Sequence, residues 1–135
     1  QVYFNVLAGK DPMLRFDGDY WGNSYLQGLN YIVENDTRDT IYVSVEDWPG
    51  VYNKMMIKPN LRNKIHYFYT TLHECQQNNQ FPLQNLDNID YYITNFTLQP
   101  EDYRLAKSKQ FPFNNEVYSI NIGGMKILGV YKTKD

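Results

Sequence analysis

The sequence predicts a single α/β (or α+β) domain, in which a mixed β-sheet carries a helix near the N-terminus and ends in a β-hairpin. Three observations predict this fold: one segment with helical spacing of apolar residues, several short β-branched and aromatic runs, and a Gly-Gly turn near the C-terminus. The chain has 135 residues, of which 42% are hydrophobic and 16% aromatic. This composition suffices for one hydrophobic core and argues against disorder.

The first elements combine a strand with a helix. Residues 2–7 are aromatic and β-branched and predict a strand or a membrane-proximal extended segment, which residues 9–12 interrupt with glycine and proline. A helix is predicted over residues 19–33, because apolar and aromatic side chains recur there at helical spacing. Gly22 and Gly28 lie within this segment and weaken its helical propensity.

The middle of the chain predicts mainly strands and loops. Residues 40–45 are rich in apolar residues and predict a central strand covered on both faces, which ends in a loop over residues 46–50. Residues 61–77 fit either a helix, by the spacing of their apolar residues, or a strand, by composition; we favour a strand near 64–70. Residues 76–88 are rich in Asn and Gln and predict a loop.

The last third of the chain predicts two further units. Residues 89–96 form another aromatic, β-branched strand, and residues 100–102 open a short helix with proline followed by two acids. Residues 116–122 and 125–132 predict the closing hairpin, since residues 123–124 are both glycine and supply the positive φ angles of a tight turn.

Charge and composition exclude several classes of function. Lys and Arg total 13 against 15 Asp and Glu, a net charge of -2, which argues against a nucleic-acid partner and against a polybasic lipid-binding patch. Cys75 is the single cysteine, so neither an intrachain disulfide nor a multi-cysteine zinc site is expected. The sequence lacks a run of 18 apolar residues and a signal peptide, so we expect Gln1 to begin a processed or excised chain.

The residues suited to chemistry do not form a recognised catalytic or metal motif. Neighbouring acids occur as Asp17 with Asp19, Glu46 with Asp47, and Glu101 with Asp102. We expect these pairs to be solvated turn residues or helix caps, although two carboxylates also suit acid–base work. His66 and His73 lie seven apart, a spacing that matches no metal motif. No catalytic residue, metal or cofactor is therefore assigned.

Aromatic residues provide the best candidates for binding. Trp21 and Trp48 each lie beside acids and a glycine, and an aromatic ring face can stack on a sugar. A helix N-terminus at Asp19 and Tyr20 is suited to sugar or phosphate. The equally open alternative is that Tyr20 and Trp21 hold the helix on the sheet while Asp19 caps it.

Three segments together carry a family resemblance. They are Val2-Tyr3-Phe4-Asn5 with Leu7-Ala8-Gly9, Asp19-Tyr20-Trp21-Gly22-Asn23-Ser24-Tyr25 with Gln27-Gly28-Leu29, and Glu116-Val117-Tyr118-Ser119-Ile120 with Val130-Tyr131-Lys132. In order and approximate spacing they resemble membrane glycosyltransferases of the dolichyl-phosphate-mannose–protein mannosyltransferase type. The first resembles the segment after the last transmembrane helix, the second the opening of the C-terminal domain's helix, and the third its closing hairpin. Residues 35–115 match only loosely.

The resemblance implies that residues 1–135 are one extracytoplasmic C-terminal domain of a cell-membrane enzyme that uses a polyprenyl- or dolichyl-phosphate sugar. The family's catalytic acid lies on a loop between early transmembrane helices, so this domain alone is expected to be inactive. Its expected partners are the membrane-embedded part of the same polypeptide and a lipid-linked sugar or a glycan or protein acceptor. Asp19, Tyr20, Trp21 and Trp48 are the candidate substrate-binding residues.

Two other functions stay open at this point. A secreted carbohydrate-binding or adhesion module is indicated by the 13 Tyr and two Trp, and would bind glycans on its own. A small soluble hydrolase-like enzyme would need one of the carboxylate pairs to converge in a pocket with perturbed pKa values.

Overall fold

In the part of the chain that the structure describes, a helix packs against a five-stranded mixed sheet. The computed structural model describes residues 22–67, 89–96, 115–122 and 124–134. Its elements are α1 (Asn23–Asn35), β1 (Ile41–Val45), α2 (Trp48–Asn53), a 3₁₀ turn (Lys54–Met56), α3 (Pro59–Arg62), β2 (Ile65–Tyr67), β3 (Tyr91–Thr94), β4 (Glu116–Ile122) and β5 (Met125–Lys132). The predicted α/β class, with its helix, mixed sheet and C-terminal hairpin, is confirmed.

The sheet combines a parallel and an antiparallel half. The strand order is β2-β1-β3-β5-β4, in which β1 runs parallel to β2 and β3, and β5 runs antiparallel to β3 and β4. Ile41 pairs with Ile65, and Tyr91 pairs with Lys132. The beginnings of β1 and β3 and the end of β5 therefore lie together at one edge of the sheet, across the strand ends. The carboxyl ends of β1 and β3 lie at the opposite edge.

Helix α1 covers one face of the sheet. Its buried residues recur at helical spacing and are Ser24, Tyr25, Gly28, Leu29, Ile32 and Val33. A Cβ at Gly28 would lie 3.0 Å from Leu128 Cδ2 and 3.1 Å from Val130 Cγ2. Glycine at this position therefore lets the helix approach β5 closely, which offsets its low helical propensity.

Strand β3 is buried on both of its faces. Tyr91 and Ile93 join the main core below α1, whereas Tyr92 packs in a second cluster with Phe96 and Tyr131. Alternate residues of a strand point to opposite faces, so the two clusters lie on opposite sides of the sheet. Strand β1 lies between β2 and β3 as the predicted central position requires, but its Tyr42 side chain remains exposed.

The start of α1 differs from the prediction. Gly22 precedes the helix in the left-handed conformation, with a φ of 64°, and the helix begins at Asn23 and runs to Asn35. A Cβ at Gly22 would lie 2.2 Å from the Cβ of Pro49, so only glycine satisfies both the backbone angle and the packing there. The three residues predicted to open the helix, 19–21, lie outside the described residues.

The predicted loop over residues 46–50 is wrong, because α2 begins at Trp48. The carboxylate of Asp47 accepts a hydrogen bond from the backbone N–H of Trp48 at 2.7 Å, and Pro49 occupies the first turn of the helix. A capping acid followed by proline starts a helix even where a glycine follows.

The remaining predictions divide between confirmed elements and residues outside the described ranges. The hairpin has the predicted strand bounds, and Gly124 in its turn has a φ of 83°. The ambiguous segment contains the strand β2 at Ile65–Tyr67, in agreement with the favoured alternative. The predicted elements at 2–7, 76–88 and 100–102 lie outside the ranges that the structure describes.

Candidate functional site

Trp48 is the one predicted binding residue whose position is described. It lies just beyond the carboxyl end of β1 and begins α2, with 53% of its surface exposed. Open α/β sheets usually bind ligands beyond the carboxyl ends of their strands. Asp19, Tyr20 and Trp21 lie outside the described residues, although Trp21 directly precedes Gly22 in the sequence.

Three hydrogen bonds hold α2 in place. The side-chain amide of Asn53 donates to the carbonyl oxygens of Gly22, at 3.0 Å, and Pro49, at 2.7 Å. The hydroxyl of Tyr67 donates to the carbonyl oxygen of Gly50 at 2.8 Å. These contacts join α2 to the start of α1 and to β2, so Trp48 is presented by an element that is fixed at both sides.

Four large apolar side chains are exposed on this segment. They are Trp48, Tyr52, Met55 and Met56, with between 53% and 68% of their surfaces exposed. Their spacing brings them to one side of α2 and the 3₁₀ turn that follows it. The rings of Trp48 and Tyr52 stack with centroids 6.0 Å apart and an interplanar angle of 25°. Exposed apolar side chains grouped in this way are typical of a docking surface, and we call these four residues the aromatic–methionine face.

The segment that follows Trp48 is rich in basic residues. Residues 48–67 contain no Asp or Glu and four basic residues, Lys54, Lys58, Arg62 and Lys64. Arg62 donates from Nη1 to the carbonyl oxygen of Met55 at 3.3 Å, which brings its guanidinium next to the methionines. The net charge of the whole chain, -2, does not reveal this local excess of basic residues.

Lys54 differs from the other basic residues because it also supports the fold. Its ammonium group donates to the carbonyl oxygen of Ile65 at 2.5 Å and lies 5.6 Å from the ring centroid of Tyr67. Partial burial, followed by the nearby charge of Arg62, lowers the pKa of Lys54. Lys58 is exposed and Arg62 is half-buried, so these two are the cations best placed to meet a ligand.

The acidic pair Glu46 and Asp47 does not form an acid–base site. Glu46 is buried and accepts a hydrogen bond from the hydroxyl of Thr94 at 2.5 Å, whereas Asp47 caps α2. Burial, and next the negative charge of Glu46, raises the pKa of Tyr25 well above its ordinary value. Tyr25 donates its hydroxyl hydrogen to Asn95 at 3.3 Å, so this buried cluster connects α1 to the ends of β1 and β3.

The other residues considered for catalysis or metal binding form no catalytic or metal site within the described ranges. His66 is exposed on β2, with its ring 5.9 Å from that of Tyr42, as expected for a surface histidine. His73 and Cys75 fall outside the described residues, as do the other two acid pairs. Where the chain is described, no three His, Cys, Asp or Glu residues lie close enough to hold a metal. No helix in those ranges is long and apolar enough to cross a bilayer.

Sequence reasoning identified Trp48 but missed its three apolar neighbours on the face. Tyr52, Met55 and Met56 follow Trp48 by four, seven and eight residues, which is the spacing of one helical face. This signal and the acid-free stretch over residues 48–67 are visible in the sequence. The prediction of a loop over residues 46–50 hides the helical face.

No protein-family profile, curated protein or solved structure matches this chain.

Proposed function

We propose that this chain is a non-catalytic extracytoplasmic domain of an integral-membrane glycosyltransferase, which transfers a sugar from a polyprenyl- or dolichyl-phosphate donor. The observation that supports this proposal best is the aromatic–methionine face, which begins at Trp48 beyond the carboxyl end of β1 and continues into a segment rich in basic residues. The domain uses this face at the bilayer surface, where the donor is embedded and where it meets the membrane part of the same polypeptide.

The chemistry of the face is complementary to each part of a lipid-linked sugar. The stacked rings of Trp48 and Tyr52 suit the apolar side of a sugar ring. Arg62 and Lys58 suit the phosphate, because guanidinium and ammonium groups form charge-assisted hydrogen bonds to phosphate oxygens. Exposed methionines adapt to irregular apolar partners such as a polyisoprenoid chain.

The same face also suits a membrane surface. Trp and Tyr are enriched at the boundary between lipid and water, where an apolar ring body and a polar edge are both accommodated. Basic residues next to such aromatics add attraction to anionic headgroups. In this arrangement Trp48 contacts the sugar or the glycan acceptor, while the transfer chemistry is supplied by the membrane-embedded part.

Vesicle flotation tests the membrane contact directly. The purified chain is mixed with vesicles of zwitterionic lipid, with anionic lipid, and with anionic lipid containing a polyprenyl phosphate. We expect binding to the anionic vesicles and a further increase with polyprenyl phosphate. Trp48→Ala should lower the partition coefficient by about 10- to 150-fold, since burial of a large apolar side chain contributes roughly 1.5–3 kcal/mol. Tyr42→Ala, which removes an exposed aromatic on β1, is the matched control and should bind like the unmodified chain.

Activity of the parent enzyme tests the assignment to a glycosyltransferase. The proposal requires that the gene encode several membrane spans upstream of Gln1 and that the full-length protein transfer sugar from a polyprenyl phosphate. Trp48→Ala should then reduce transfer without reducing the amount of folded enzyme in the membrane. Unchanged transfer by this variant, or a lone signal peptide upstream, would refute the proposal.

The second candidate function is a secreted carbohydrate-binding module, which the exposed stacked pair of Trp48 and Tyr52 favours. Such a module binds neutral oligosaccharides without lipid, whereas the first proposal predicts that lipid or phosphate is required. Tryptophan fluorescence of the chain titrated with neutral oligosaccharides separates the two functions, with Trp48→Ala as the control for the responding residue.

A further inference from the structure

A polar cleft of about 410 Å³ lies at the edge of the sheet opposite to Trp48. It is formed where α1 ends, where β1 and β3 begin and where β5 ends. The charged side chains that line it are Asp36, Arg38, Asp90, Lys132 and Lys134, together with the Tyr91 hydroxyl group. None of them belongs to the aromatic–methionine face.

Arg38 is fixed at the centre of this lining. Its Nη2 donates to Asp36 at 2.7 Å, its Nε to Asp36 at 3.0 Å, and its Nη1 to Asp90 at 2.9 Å. A guanidinium carries five N–H groups in a planar fork, so these contacts leave two N–H groups for a ligand. With 48% of its side-chain surface exposed, Arg38 is both accessible and already oriented.

The two carboxylates of the cleft are hydrogen-bonded within the protein. Asp36 also accepts hydrogen bonds from the Tyr91 hydroxyl at 3.0 Å and from the Arg38 backbone N–H at 3.0 Å. The second oxygen of Asp90 accepts from the backbone N–H of Tyr42 at 2.8 Å. The hydrogen bonds of Arg38 hold the pKa of Asp36 well below its usual range. These acids therefore serve to orient Arg38 rather than to bind a cation.

Two lysines supply positive charge that is not neutralised in this way. Lys132 and Lys134 flank Thr133, whose backbone N–H donates to the carbonyl oxygen of Asp90 at 3.0 Å and whose hydroxyl donates to that of Ile89. The chain end that carries both lysines is thereby anchored to the start of β3. Within the described ranges neither ammonium group forms an ion pair. Three cations against two carboxylates leave the lining with a net positive charge.

We propose that this cleft binds an oxyanion, the phosphate or carboxylate group of a small ligand such as a phosphorylated or acidic sugar. Lys132 and Lys134 provide the charge, and the two remaining N–H groups of Arg38 provide directed hydrogen bonds. Because Arg38 is already held by Asp36 and Asp90, little side-chain freedom is lost when the ligand binds. The inference uses none of the residues that support the membrane-enzyme proposal and stands independently of it.

Titration of the isotope-labelled chain with inorganic phosphate, followed by nuclear magnetic resonance, tests this site. We expect saturable shifts of the Arg38 Nε–H and of the Tyr91 and Thr133 amides. Lys132→Gln and Lys134→Gln should each weaken binding by about two- to fivefold, as for a partly exposed ion pair, and added salt should weaken it further. Lys126→Gln, which changes a lysine at the start of β5 that already pairs with Glu116, is the matched control and should leave the affinity unchanged.

Comparison of glucose 6-phosphate, glucuronate and glucose identifies the source of the oxyanion. Tighter binding of either anionic sugar than of glucose supports the proposal, and the better of the two anions shows whether phosphate or carboxylate is preferred. Equal binding of glucose and glucose 6-phosphate would overturn it, because charge would then play no part. An absence of saturable shifts, or a loss of phosphate binding in Lys126→Gln but not in Lys132→Gln, would overturn it as well.

Discussion

The hydroxyl group of Thr94 donates to the buried carboxylate of Glu46 at 2.5 Å and accepts the backbone N–H of Phe96 at 2.8 Å. Next to this contact the backbone N–H of Glu46 donates to the carbonyl oxygen of Ile93 at 2.9 Å. Phe96 is fully buried and has a φ of 61°, a left-handed conformation that costs a non-glycine residue roughly 1–2 kcal/mol. Thr94 thus stabilises both a buried acid and a strained turn where β3 ends.

Thr94→Val should lower the free energy of unfolding by about 1–3 kcal/mol, because it removes one hydrogen bond from Glu46 and one from the Phe96 backbone. The change keeps the volume of the side chain, so the loss in free energy of unfolding measures the contribution of the hydroxyl group. Urea denaturation followed by circular dichroism measures the loss. Thr94→Ser retains the hydroxyl and should lose less, and an equal loss in both variants would show that the methyl group matters instead.

Gly22→Ala should destabilise the domain more strongly than Gly124→Ala. Both glycines have positive φ angles, 64° and 83°, so both substitutions carry a similar backbone cost. A Cβ at Gly22 would also lie 2.2 Å from the Cβ of Pro49, whereas nothing lies within 4 Å of a Cβ at Gly124. Thermal denaturation of the two variants separates the packing cost from the backbone cost, and similar melting temperatures would contradict the close contact.

Arg38→Ala should lower the free energy of unfolding by about 1–2 kcal/mol, since Asp36 and Asp90 lose their shared charge-assisted partner. Urea denaturation at neutral pH measures this change. Within the described residues, Arg62 donates one side-chain hydrogen bond, to the backbone carbonyl oxygen of Met55, and Arg62→Ala removes it. This control should cost less, and a larger loss there would mean that the network around Arg38 contributes little.

Asp36 should make stability depend on acidic pH. The hydrogen bonds from Arg38 lower its pKa in the folded state below the value of about 3.9 that it has when unfolded. A lowered pKa contributes stability that is fully present above the unfolded value and is lost as the pH falls toward the folded value. The free energy of unfolding should therefore decrease as the pH falls below about 5. Asp36→Asn should be less stable at neutral pH and should show a shallower decrease, which urea titrations at a series of pH values will measure.

The elements that the sequence predicted well are those with strong local signals. The hairpin is fixed by alternating strands around a glycine turn, and α1 by its apolar spacing, so both were found within a few residues. Helix α2 has only six residues, with proline and glycine at its start, and these hid its helical character. The cleft was not predictable, because Arg38 and Asp90 are 52 residues apart and meet only when β1 and β3 pair.

The strand order has a consequence for how quickly the chain folds. In the hairpin, Ile122 pairs with Met125, which is close in sequence. Val43 of β1 instead pairs with Tyr91, 48 residues further along the chain. Hairpins form within about 1–10 μs, while bringing distant segments together costs an entropy that grows with the length of the closed loop. We therefore expect the hairpin to form early and to recruit β3, with the parallel pairing of β1 completed late. Substitutions between β1 and β3, such as those at Thr94, should then accelerate unfolding more than they slow folding.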